Sequence, residues 1–179
     1  KVVSSTTCVP NIYSCYTGLG DLTWLPGNER VAYTDGYPGS SIGVMNIKNT
    51  FNKKTIVPSN GDVYRCLTVQ KGGKKLLYTE EKNNTYTKIV SVNLDGTERR
   101  VLATTGAIGY GYCPSWSKDD RKISYYTKSN AVDPSTGYSV NDWVRLNVMN
   151  ADGSGARTLV DIGRSSTVSN AKLIAGSAW

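Results

Sequence analysis

Cys8, Cys15, Cys66 and Cys113 carry the most reactive side chains of this sequence, and fourteen Asp and Glu are available for acid–base work. What they can do is bounded by a zero, because the 179 residues contain no histidine. A Ser-His-Asp triad, a Cys-His nucleophile pair, an imidazole base and a His-metal site are therefore excluded within the chain. The cysteines have no CxxC spacing, whereas zinc sites pair close cysteines or add histidines, so metal binding is disfavoured. An even number of well-separated cysteines points instead to two disulfides formed in an oxidising compartment. The sequon Asn83-Asn84-Thr85 is compatible with secretion. The chain opens at Lys1 with neither Met nor an apolar leader, as a processed chain or one cut from something longer would.

The carboxylates do not converge on a catalytic pair. Asp119-Asp120 and Asp152 sit among turn residues, and turn chemistry accounts for them without a calcium loop. Asp21 is the acid expected to face open space, where it could hold a cation or a basic group of a partner. Gly106-Ala107-Ile108-Gly109-Tyr110-Gly111-Tyr112 has neither the order nor the following helix of a phosphate loop, so no cofactor is expected. Twelve tyrosines stand against one phenylalanine. Tyr16, Tyr37, Tyr110 and Tyr112 fall in connecting segments, where an amphipathic ring is a good anchor for a protein or sugar partner. The formal charge is +7, but the cations come as short pairs, Lys53-Lys54, Lys74-Lys75 and Arg99-Arg100, which read as a solvated surface rather than a nucleic-acid site. No apolar run reaches the ~20 residues of a membrane-spanning helix.

The elements that must position these residues repeat. Asp21-Leu22-Thr23-Trp24-Leu25-Pro26-Gly27-Asn28-Glu29-Arg30-Val31-Ala32-Tyr33-Thr34 aligns with the fourteen residues beginning at Cys66 and again with those beginning at Cys113. A large apolar residue (Trp24, Val69, Trp116) ends one short strand, and six residues later a cation (Arg30, Lys75, Lys122) opens the next. Third strands finish at Asn46, Asn93 and Asn150. Asp95-Gly96 and Asp152-Gly153 then predict type I′ hairpins, whose central residues need positive φ. Fourth strands follow at 54–57, 100–102 and 157–160, and the third unit carries a polar insertion across 129–142. Four short antiparallel strands at a period of 45 to 47 residues are the signature of propeller blades, over approximately 20–58, 63–104 and 112–161.

Pro114-Ser115-Trp116-Ser117-Lys118-Asp119-Asp120-Arg121-Lys122-Ile123, followed by Val148-Met149-Asn150-Ala151-Asp152-Gly153-Ser154-Gly155, resembles the TolB-type propeller repeat. That repeat runs Pro-x-Trp-Ser-Pro-Asp-Gly-Lys-x-Ile-Ala-Phe and later Ile-Tyr-Val-Met-Asn-Ala-Asp-Gly-Ser-Gly. Lys118 and Asp120 replace its usual Pro and Gly. The first unit keeps Trp24, Pro26, Gly27, Val44, Met45 and Asn46, and the second keeps mainly its Leu-Asp-Gly turn. The resemblance covers most of the chain and implies an all-β propeller. It leaves function open, because such blades occur in periplasmic translocation proteins, peptidase propeller domains, lyases and surface proteins.

In this register Cys66 and Cys113 lie on the inner strands of adjacent blades and are expected to bridge them, with Cys8 and Cys15 closing a small loop. Residues 1–7 and 165–179 resemble single strands of further blades. The propeller is thus expected to be part of a larger one or to be completed by another chain, with a self-closed four-bladed ring as the alternative. The functional expectation is a non-enzymatic, secreted, periplasmic or cell-surface module that binds a protein partner through its loops and the mouth of the central channel, with Asp21 facing that channel and the loop tyrosines as anchors. The alternatives are the propeller portion of a hydrolase or lyase, and a glycan-binding or self-assembling surface protein.

Overall fold

A computed structural model describes residues 21–35, 41–49, 52–82, 86–106, 113–132 and 139–161. Among them are twelve strands and no helix. Blade 1 contains β1 (Leu22–Trp24), β2 (Arg30–Asp35), β3 (Ser41–Asn46) and β4 (Lys53–Val57). Blade 2 contains β5 (Val63–Val69), β6 (Lys75–Lys82), β7 (Tyr86–Asn93) and β8 (Arg100–Gly106). Blade 3 contains β9 (Ser115–Trp116), β10 (Lys122–Val132), β11 (Ser139–Asn150) and β12 (Arg157–Asp161). Each blade is an antiparallel meander whose strands pair in chain order.

The register repeats as the sequence does. Trp24 faces Val31, Val69 faces Leu76, and Trp116 faces Ile123. Arg30, Lys75 and Lys122 each lie opposite the asparagine that ends the third strand. The polar insertion of the third unit enters the ladder at both its ends, 129–132 and 139–142. It lengthens the central hairpin, so that β10 and β11 run to 11 and 12 residues.

Strand alternation gives every sheet two faces, and the middle blade buries both. Leu76, Tyr78, Val90 and Val92 pack with Leu25, Ala32, Ile42, Val44 and Ile56 of blade 1. The alternate residues Leu77 and Ile89 pack with Trp116, Ile123, Tyr125 and Met149 of blade 3. Tyr33, Tyr78 and Tyr125, one per blade, are all buried. The same pattern exposes the far face of blade 3. Ile56 and Val57 of β4 keep only 5% and 3% of their surface, whereas Leu159 and Val160 of β12 keep 39% and 49%. The register makes these residues equivalent, because Val57 pairs with Ile42 and Val160 with Leu146.

The Asp-Gly turns differ from the type I′ expectation. The Asn93 carbonyl accepts from the Gly96 N–H at 2.9 Å, and the Asn93 N–H donates to the Thr97 carbonyl at 2.9 Å. Gly96 takes a φ of +93°, while Leu94 and Asp95 do not enter positive φ. This is a type I turn closed by a left-handed glycine, the three-residue hairpin form. The Asp95 carboxylate is free to accept from the Thr97 N–H and hydroxyl at 2.8 and 2.6 Å, which stabilises that form. Asn150, Asp152, Gly153 and Ser154 repeat the arrangement.

Glycine has a second reason to be there. A Cβ on Gly96 would lie 2.8 Å from the Ile56 carbonyl of the preceding blade, and one on Gly153 would lie 2.9 Å from the Leu102 carbonyl. Gly61 has the same sort of φ, +91°, with nothing within 4 Å of its Cβ position. Gly96→Ala is therefore expected to destabilise the protein by about 1–3 kcal/mol more than Gly61→Ala, the cost of forcing a methyl group into the seam. Urea unfolding of the two variants checks this, and equal losses would show that the seam tolerates the group.

Candidate functional site

The seams between blades hold Asp21, Cys66, Cys113 and Asp120. In β5 the ladder to β6 slips between Arg65 and Thr68. Within that bulge Cys66 adopts a φ of +61°, which turns its N–H out of the sheet. The N–H donates to the Asp21 carboxylate, which sits one residue ahead of β1. The Cys66 sulfur is bonded to that of Cys113, two residues ahead of β9, across a Cα separation of 5.1 Å. One residue thus joins blade 1 through its amide and blade 3 through its sulfur. Asp21, expected to face a ligand, has an internal partner through one of its oxygens.

Asp119 and Asp152 lie in hairpin turns, as read from the sequence. The Asp119 carboxyl accepts from the Ser117 hydroxyl at 2.7 Å and the Arg121 N–H at 3.2 Å. The hydrogen bond from Ser117 and that backbone N–H hold it below the usual carboxylate range. Asp120 does more than its turn requires. Its two oxygens accept from the Lys71 and Gly72 N–H groups of blade 2, each at 2.9 Å. Consecutive backbone N–H groups in a turn form an anion-binding concavity, here filled by a carboxylate of the next blade. Asp120 tolerates the left-handed φ of +60° that Gly73 and Asn28 take at the equivalent positions, +66° and +55°. Its replacement of the repeat's usual glycine therefore creates a link between blades.

Glu80 was not foreseen. It lies on β6 with 1% of its surface exposed, and its carboxylate accepts from the Lys88 ammonium at 2.9 Å and from the Arg99 guanidinium. Arg99 also donates to the Tyr78 hydroxyl at 3.0 Å, and the Tyr78 ring stands edge-on to Tyr64, with centroids 5.3 Å apart. Burial alone would raise the Glu80 pKa, but the Lys88 hydrogen bond, the Arg99 charge and contact with Asp62 bring it below the ordinary value. Burial pushes the Tyr78 hydroxyl up to about 12, against the opposing pull of Arg99. The set is two cations, Lys88 and Arg99, on two buried acids, Glu80 and Asp62, a charge-balanced network inside the seam. Its only sequence signal was an acid at the position of a blade face where core residues recur.

Among the described residues no three His, Cys, Asp or Glu side chains gather as a metal site, and no helix is long and apolar enough to cross a membrane. Cys8, Cys15, Tyr16, Tyr37, Tyr110, Tyr112 and Asn83 lie outside the described residues.

No family model and no curated protein matches the sequence. Solved structures do match the fold. TolB from Agrobacterium tumefaciens superimposes with a TM-score of 0.56 at 16% identity over 79% of this chain and 48% of its own. The β-propeller domain of the Trilobed protease from Pyrococcus furiosus, described as having an open velcro topology, gives 0.55 at 14% over 83% and 43%. An acylaminoacyl peptidase from Pyrococcus horikoshii gives 0.59 at 14% over 82% and 25%. The fold is an all-β propeller of TolB-like blades. The chain spans less than half the length of each of these structures.

Two outcomes follow from the seams. Replacing Cys66 and Cys113 by serine is expected to cost about 4 kcal/mol from the loop-closure entropy of a 47-residue separation. Peptide mapping without reduction should recover Cys66 joined to Cys113, and a Cys8–Cys66 peptide would refute the pairing. Glu80→Gln should cost about 3 kcal/mol, because it leaves Lys88 and Arg99 facing a buried neutral amide. The folded-state pKa of Glu80 is depressed, so its contribution is present above its unfolded value of ~4.3 and disappears as the pH falls through the folded one. Denaturation midpoints between pH 7 and pH 3 should therefore fall more steeply for the parent than for Glu80→Gln.

Proposed function

We propose that this chain is a non-catalytic propeller module that holds a protein partner through its loops and channel mouth, in a secreted, periplasmic or surface setting. The observation that carries the reading is the internal use of its charged groups. Glu80 neutralises Lys88 and Arg99, Asp120 binds the backbone of blade 2, and Asp21 binds Cys66. These contacts make a rigid scaffold, and rigid scaffolds place binding residues on the loops they support. Tyr37, between β2 and β3 in sequence, and Tyr110 and Tyr112, between β8 and β9, fall in connecting segments. Together with Asp21 and Tyr16 they are the proposed partner contacts. The Cys66–Cys113 disulfide supports an oxidising compartment.

A second reading, a propeller portion working beside a hydrolase or lyase domain, is favoured by two observations. The peptidase match uses only 25% of its own chain, and Leu159 and Val160 expose the face that inner blades bury. In either case that face suits a further blade, from this polypeptide or another. The natural product's intact mass separates the two, since the second reading requires a polypeptide well beyond 179 residues.

Photo-crosslinkers placed at Tyr37 and at Tyr110 should both capture one and the same protein in the native compartment, while one at Lys74 on the turn end should not. Combined Tyr37→Ala, Tyr110→Ala and Tyr112→Ala should abolish a crosslink made from Asp21. Capture from Lys74 with equal yield would overturn the proposed contacts.

A further inference from the structure

The cations that are scattered along the sequence are gathered in the fold. In each four-stranded meander the first and third hairpins turn at one end, opposite the central one, so their six turns lie on one rim, where neighbouring turns touch. The Lys54 ammonium donates to the Asp95 carbonyl of the next blade at 3.0 Å, and Asp120 reaches the turn at Lys71 and Gly72. The six turn segments, 24–30, 46–54, 69–75, 93–100, 116–122 and 150–157, contain thirteen of the 21 Lys and Arg but six of the 14 Asp and Glu. That imbalance is +7, the formal charge of the whole chain, and the remaining sequence is neutral. The three basic pairs that looked like ordinary surface all belong to this rim.

The rim's acids are each held by a neighbouring group while several of its cations project. Asp95 and Asp152 bind their own turns, and Glu29 and Glu98 pair with Lys48 and Lys75. Lys71, Lys74, Arg100, Lys118, Arg121 and Arg157 remain exposed. Arg100 and Arg157 occupy equivalent positions in successive blades, opposite Ser91 and Val148, so the charge recurs at the blade spacing. Such an array attracts an extended anion more than a compact one. Between blades 1 and 2 the same rim opens a cleft of about 410 Å³, lined by Arg30, Lys54, Asn46 and Asn52 above Met45 and Leu94, and by Asp95, whose carboxylate accepts from Thr97 of its own turn. Its volume falls within the ~300–1,000 Å³ of small-ligand sites. Cations beside amides suit an anionic group flanked by hydroxyls, since an amide both donates to and accepts from a hydroxyl.

We propose that the turn rim is a binding surface for an anionic polysaccharide, with the cleft lined by Arg30, Asn46, Asn52 and Lys54 taking one acidic sugar unit. A glycan is favoured over nucleic acid by the amides and by the disulfide, which fits a compartment where acidic glycans are the common polyanions. The rim lies at the other end of β1 from Asp21, and its variants leave the proposed protein contacts untouched, so either proposal can fail without the other.

The test uses the full chain on immobilised heparin and alginate at ~0.15 M salt. The parent and a Lys82→Glu/Arg145→Glu variant should be retained alike, whereas Arg100→Glu/Arg157→Glu, with the same net charge, should bind about tenfold more weakly. If that variant unfolds, Arg100→Gln/Arg157→Gln is measured against Lys82→Gln/Arg145→Gln. Asn52→Ala should weaken alginate binding without changing the thermal midpoint. Failure of the parent to bind either glycan, or equal weakening by both charge-matched variants, would overturn the proposal. Tighter binding of duplex DNA or phosphatidylglycerol vesicles than of either glycan would overturn the choice of ligand.

Discussion

A four-stranded sheet with apolar residues on both faces needs a neighbour on each side, and this constraint governs the protein. The middle blade satisfies it, with Leu76 turned to blade 1 and Leu77 to blade 3. The backbone follows from the same requirement. Gly96 and Gly153 let the turn of one blade settle on the outer strand of the blade before it, and the bulge at Cys66 frees an amide and a sulfur for opposite seams. Polar groups inside the seams are then obliged to be neutralised, which Glu80 achieves with Lys88 and Arg99.

What could be read from the sequence was whatever repeated. Trp24, Val69 and Trp116 revealed the register because each stands six residues before a cation, and the strand pairings preserve that spacing. Features that occur once were harder to see. Glu80 belongs to Thr79-Glu80-Glu81-Lys82, which reads as ordinary polar strand, and only packing against blade 1 separates the buried Glu80 from the less buried Glu81. The polar insertion carried no strand pattern, yet at its two ends 130–132 pair with 139–141 and continue the β10–β11 ladder past a register shift at Ser129 and Asn130.

Turn chemistry shows a subtler limit. Asp-Gly correctly marked hairpins, but the type of turn was set by Thr97 and Ser154, whose hydroxyls complete the carboxylate's hydrogen bonds two residues on. Asp120 likewise was recognisable as a turn residue, while its bonds to Lys71 and Gly72 depend on a blade 49 residues earlier in sequence. Charge followed the same logic. Short basic pairs have little meaning along a line, and acquire one when a repeat of fixed period brings each pair to the same rim.

The left-handed slot after each inner turn is filled by Asn28, Gly73 and Asp120, three different solutions to one conformational demand. Their surroundings differ as well. Gly73 lies against Pro26, Asp120 grips the Lys71–Gly72 backbone, and the disulfide joins blade 2 to blade 3. Repeats built on one pattern risk docking in the wrong order as they fold, since each presents similar apolar faces. These unequal fittings act as keys. An inner turn carrying Asp120 finds two open amides at Lys71 and Gly72, whereas at Pro26 it would meet a residue that has no N–H to offer. The departures from the repeat thus encode the order of the blades, information that a perfectly regular propeller would lack.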